Sequence, residues 1–87
     1  MSRLLAGQRI VVTGAARGLG YSFAQAIADQ GASVVMCDIQ AERLATSAAQ
    51  LREQGAEVEA IVIDLADPES ITHAFARIAR GGVSMVW

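Results

Sequence analysis

Short β-branched runs alternate with longer alanine-rich stretches of helical period along this 87-residue chain, and that alternation leaves few folds open. Arg9–Thr13 reads as a strand, with Gly7 before it and Gly14 after it. Over residues 18–30, Leu19, Phe23 and Ile27 recur at i, i+4 and i+8, one face of a helix that Gly31 can end. Ser33–Asp38 is a second strand. Residues 41–54 form a second helix with Leu44, Ala48 and Leu51 on one side and Gly55 as its stop. Residues 57–64 read as a third strand, polar at the start and continuously apolar at 61–63, the pattern of a strand covered on both faces. Asp67 can cap a third helix with Pro68 at its first position, where a missing N–H is harmless. Ile71, Phe75 and Ile78 make its apolar stripe, Gly81-Gly82 stops it, and residues 83–87 begin a fourth strand.

A βαβαβαβ order with short connections implies an α/β fold: a parallel sheet with helices on both faces. Right-handed crossovers place the strands 3-2-1-4, a partial Rossmann-like doubly wound sheet. The chain reads as a single truncated domain over residues 1–87, without repeats or linkers. Its apolar share is 53%, but 17 residues are alanine and only 5% are aromatic, which suits helices packed close on a sheet.

Seven arginines and no lysine against nine acids leave a net charge of −2, which argues against nucleic acid or an anionic membrane as partner. The lone Cys37 cannot form an internal disulfide, as befits a reducing compartment. No apolar run approaches the roughly 18 residues of a membrane span, and the first residues lack a signal-peptide core, so the expected setting is cytoplasmic.

Directly after the first strand stands Thr13-Gly14-Ala15-Ala16-Arg17-Gly18-Leu19-Gly20, with glycines spaced GxxxGxG rather than GxGxxG. Gly14 can supply the turn off the strand, Gly18 lets a phosphate reach the backbone, and Gly20 lets the helix close on the sheet. The free N–H groups and positive end of that helix suit a pyrophosphate. The plainer alternative is a tight strand–helix corner. An acid at the end of the next strand, Asp38, tips the balance toward a nucleotide. One carboxylate can accept from both hydroxyls of an adenosine ribose. The same charge repels a 2′-phosphate, so NAD is favoured over NADP; Arg17 is the dissenting residue, since its guanidinium can pair with that phosphate. Asp64 can accept from an adenine amino group with Leu65 and Ile39 flanking the ring, or it can simply end the third strand.

These residues resemble the short-chain dehydrogenase/reductase family, from about Gly7 to about Val83. The segment from Ile10 to Gly20 looks like that family's TGxxxGxG opening, Asp38 like its NAD-selecting acid, and Asp64-Leu65 like its adenine-pocket pair. The resemblance implies that Thr13 braces the turn, that Gly14, Arg17, Gly18, Leu19 and Gly20 meet the pyrophosphate region, and that Asp38 and Ile39 meet the adenosine. It also implies hydride transfer between a nicotinamide and an alcohol or carbonyl. The family's catalytic groups include asparagines and a Tyr-x-x-x-Lys pair. This sequence has neither lysine nor asparagine, and Tyr21 is followed four residues on by Gln25. No catalytic residue is assigned, and the chain alone is expected to bind without turnover. Ser84 and Trp87 depart from the family's usual Asp and small β-branched residue.

The alternative is a non-catalytic nucleotide-binding or scaffold module that self-associates through the exposed edge of its last strand. No metal site is expected: His73 has no partner at ligand spacing. Cys37 reads as core, Met36 and Met85 as filler, and Glu42, Arg43, Arg52, Glu53, Glu57 and Glu59 as solvated faces.

Overall fold

The computed structural model describes residues 4–86; residues 1–3 and Trp87, which the sequence places in the fourth strand, lie outside that span. The elements are β1 (Arg9–Thr13), α1 (Gly18–Asp29), β2 (Ser33–Asp38), α2 (Ala41–Glu53), β3 (Val58–Val62), α3 (Pro68–Arg80) and β4 (Met85–Val86). All paired strands run parallel in the order β3-β2-β1-β4. That is the order right-handed crossovers predict. Among the described residues, no helix is long and apolar enough to cross a membrane.

The strand period of two sorts the core into two layers. Ile10, Val12, Val34 and Met36 meet Ala24 and Ile27 of α1 and Leu44, Ala48 and Leu51 of α2. Val11, Val35, Cys37, Ile61 and Ile63 point the other way, beneath Ala74 and Ile78 of α3, with Ile71 packed alongside. Ala24 and Ala48 are wholly buried, and their small side chains let both helices approach the sheet.

Phe75 and Val62, both expected in the core, are open to solvent. Phe75 is 56% exposed, and the buried stripe of α3 runs through Ala74, one residue earlier. An alanine at the contact brings the helix close to the sheet, and that rotation swings the larger ring outward. Val62 is 50% exposed, because the α2 side of β3 is covered only at Val58 and Ala60. As the edge strand, β3 stops at Val62, one residue before its apolar run ends.

Glu59 also differs from the solvated residue expected. The Arg9 guanidinium donates to the carbonyls of Ile78 (2.6 Å) and Gly82 (2.7 Å) and to Glu59 Oε1 (3.1 Å). Glu59 Oε2 accepts from Arg77 at 3.2 Å. The backbone completes the tie: Ser84 N–H donates to the Arg9 carbonyl (2.8 Å), and Arg9 N–H to Ser84 Oγ (3.2 Å). A cation thus sits at the negative end of α3 while fastening the approach to β4 onto β1. Arg9→Met should cost about 1–2 kcal/mol, chiefly by leaving the part-buried Ile78 carbonyl without its donor. Arg77→Ala, at an exposed pair, should cost less than about 0.5 kcal/mol. Urea unfolding of the two variants checks the contrast.

Burial in the α3-side layer pushes the Cys37 thiol from an ordinary value of 9.0 up to about 11, with the nearby Glu59 charge adding to the effect. The folded chain therefore holds the thiol proton more tightly than the unfolded chain does. Stability from this group is complete below about pH 9 and drains away as pH rises toward about 11. Urea midpoints measured from pH 8 to 11 should fall more steeply for the wild type than for Cys37→Ala.

Candidate functional site

β1 and β2 end side by side, with Thr13 level with Cys37. The chain leaves β1 through Gly14 (φ 65°) and enters α1 at Gly18 (φ 63°), left-handed conformations that glycine adopts without a Cβ penalty. Between them Ala15 and Ala16 are buried, and their amides continue the sheet's bonding outward. Ala15 N–H donates to the Cys37 carbonyl at 3.1 Å, and Ala16 N–H to Asp38 Oδ2 at 3.1 Å. Asp38 Oδ1 accepts from Gln40 N–H at 3.0 Å. The carboxylate therefore faces the glycine turn, where the sequence reading requires it.

The three glycines do different work. A Cβ on Gly20 would overlap the Gly14 carbonyl oxygen and lie 2.7 Å from its carbon, so the first turn of α1 rests directly on the β1 turn. At Gly14 and Gly18, by contrast, nothing lies within 4 Å of where a Cβ would stand. That leaves an open cradle above the turn.

Arg17, extended at φ −160°, is the N-cap of α1 but makes no capping bond with its side chain, and the first turn holds no acid. The first bond into the helix is Tyr21 N–H to the Arg17 carbonyl, at 3.4 Å. The amides of Gly18, Leu19 and Gly20 precede it, the orphan donors of a helix start. At α3 the same need is met internally, since Asp67 Oδ1 accepts from Glu69 N–H at 3.0 Å. The positive end of α1 is thus left uncapped by its N-cap side chain.

Beside the turn, a cavity of about 260 Å³ opens across the ends of the strands, lined by Thr13, Gly14, Asp38, Ile39, Ile63, Asp64, Leu65 and Ala66. Ile39 and Leu65 stand exposed at it as apolar walls. Asp64 serves the chain reversal too: Oδ1 accepts from Ala66 N–H (2.9 Å), and its own N–H donates to Ser70 Oγ (2.9 Å). These bonds serve the strand-ending reading of Asp64, which also lines the cavity.

Leu19 is a correction. It is 90% exposed rather than part of the apolar face of α1, because the first turn lies over the Gly14 turn and not over the sheet. It borders a second cavity, about 370 Å³, with Val12, Thr13, Gly20 and Phe23.

Ser47 is a functional candidate that the sequence pattern does not single out. It is buried on α2, and its hydroxyl donates to the Ala16 carbonyl at 2.5 Å. The available signal was a polar residue set within the Leu44–Ala48–Leu51 stripe.

The family described as short chain dehydrogenase matches residues 8–85. A short chain dehydrogenase/reductase of Colletotrichum higginsianum is 41% identical over 75 residues, which make up 86% of this chain and 28% of that protein. Among solved structures, L-sorbose reductase from Gluconobacter frateurii, complexed with NADPH and L-sorbose, superposes with a TM-score of 0.87 at 30% identity. That match covers 99% of this chain and 34% of the reductase. A short chain dehydrogenase/reductase from Burkholderia phymatum in complex with NAD also gives 0.87, at 28% identity, covering 95% of this chain and 30% of its own. The chain therefore spans about a third or less of the length of these proteins.

Close approach and backbone freedom are separable by mutation. Gly20→Ala should cost about 3 kcal/mol or more, because a backbone carbonyl must move. Gly18→Ala, with open space but positive φ, should cost about 1 kcal/mol. Equal losses in chemical denaturation would contradict the division of roles.

Proposed function

The chain belongs to the short-chain dehydrogenase family, and on that footing we propose that it is the NAD-binding portion of an oxidoreductase. The reaction is hydride transfer between a nicotinamide and an alcohol or carbonyl. The observation that carries the reading is the Asp38 carboxylate held against the glycine turn by the Ala16 amide. In this reading the pyrophosphate lies over the turn, meeting the amides of Gly18, Leu19 and Gly20, with Gly14 and Gly18 leaving it room. Thr13 braces the turn. Asp38 takes the ribose diol, and Ile39 and Leu65 flank the adenine, whose amino group donates to Asp64.

A bound dinucleotide supplies the hydride carrier. This chain's residues bind and orient it. With no lysine and no asparagine in its 87 residues, the chain holds the cofactor without turnover. A negative charge in the ribose pocket disfavours a 2′-phosphate, which supports NAD over NADP. Arg17 is exposed at the N-cap and supports the pyrophosphate rather than a second phosphate on the ribose.

Titration calorimetry on the folded chain should show NAD binding at least about tenfold tighter than NADP. Asp38→Asn should bring the ratio within about threefold, a readout that general loosening of the turn would not move. No uptake of NAD, or a ratio unchanged by the substitution, would overturn the proposal.

A further inference from the structure

Ser47 is the polar side chain that the core accepts: among the described residues no other polar or charged one is buried. A hydroxyl in such a place is costly unless it is bonded. Helical hydroxyls usually find their own helix, as Thr46 does with the Glu42 carbonyl (3.1 Å) and Thr72 with that of Pro68 (3.0 Å). Ser47 instead reaches the Ala16 carbonyl, 31 residues away in sequence, at 2.5 Å.

The bond falls at a sensitive point. Ala16 N–H is already held by Asp38 from the end of β2, at 3.1 Å. With its carbonyl held from α2, the peptide groups on both sides of Ala16 are fastened by side chains from two different elements. The peptide that Ser47 holds also carries the Arg17 N–H and leads straight into Gly18, where α1 begins. Gly14 and Gly18, on either side, are the residues with most backbone freedom, so the direction of the turn depends on what restrains the alanines between them.

We propose that Ser47 is a positioning residue for the phosphate-binding turn: through the Ala16 carbonyl it aims the amides at the start of α1. This rests on the dinucleotide reading above. Ser47 touches no ligand in this account; it acts through the turn alone. Its effect therefore falls mainly on the phosphates: Thr13 and Gly14 reach the adenosine pocket, but its other walls, Asp38, Ile39 and residues 63–66, lie outside the turn.

Two ligands separate the effects, adenosine and ADP-ribose, titrated into the 87-residue chain and followed by amide NMR shifts. For the wild type, ADP-ribose should shift the amides of Gly18, Leu19 and Gly20, and adenosine those of Asp38 and Ile39. Ser47→Ala should weaken ADP-ribose about tenfold and adenosine less than twofold. If the alanine variant does not fold, Ser47→Cys carries the same test, because a thiol is a weak donor: ADP-ribose should weaken and adenosine should not. Equal weakening of the two ligands, or of neither, would overturn the role given to Ser47 while leaving the dinucleotide reading intact. A wild-type chain that takes up neither ligand would overturn the dinucleotide reading itself.

Discussion

The hydrogen bond from the Ala16 amide to the Asp38 carboxylate joins the ends of two neighbouring strands where the chain must leave β1 for α1. It settles the course of the turn and the orientation of the acid in one contact. A carboxylate turned away would leave the Ala16 amide buried without an acceptor, and a buried donor without a partner costs about 1–3 kcal/mol. Fold and site are coupled through that bond. The glycines on either side make the turn possible; the bond makes it specific.

The two ends of the sheet are specialised. At the carboxyl end, backbone amides and short polar side chains surround open space. At the amino end, the Arg9 guanidinium closes the structure by binding the last carbonyls around α3 and the Glu59 carboxylate. β4 contributes only two residues to the ladder, Met85 and Val86, so its attachment to β1 leans on the Arg9 and Ser84 contacts beside it.

Much of the site was legible from local pattern. Gly14, Gly18 and Gly20 after a β-branched run, with Asp38 at the end of the next run, mark the tight turn into α1 and the acid that faces it. The α2 stripe of Leu44, Ala48 and Leu51 reads directly as a core face and is one. Leu19 and Phe75 read the same way and are not, because periodicity gives spacing but not which part of a stripe has sheet beneath it. Ser47 and Glu59 were illegible for another reason. Their partners, Ala16 and Arg9, lie 31 and 50 residues away, and no pattern along one element reveals such a contact.

Local chemistry alone therefore decided the order of elements, the parallel sheet, the glycine turn and the acid that faces it, since each follows from the period, caps and backbone freedom of neighbouring residues. Tertiary packing decided which apolar side chains are covered, that Arg9 and Glu59 form a clamp, and that a serine on α2 restrains the turn after β1. Those outcomes depend on how closely two elements approach, and that distance is set by every contact between them at once.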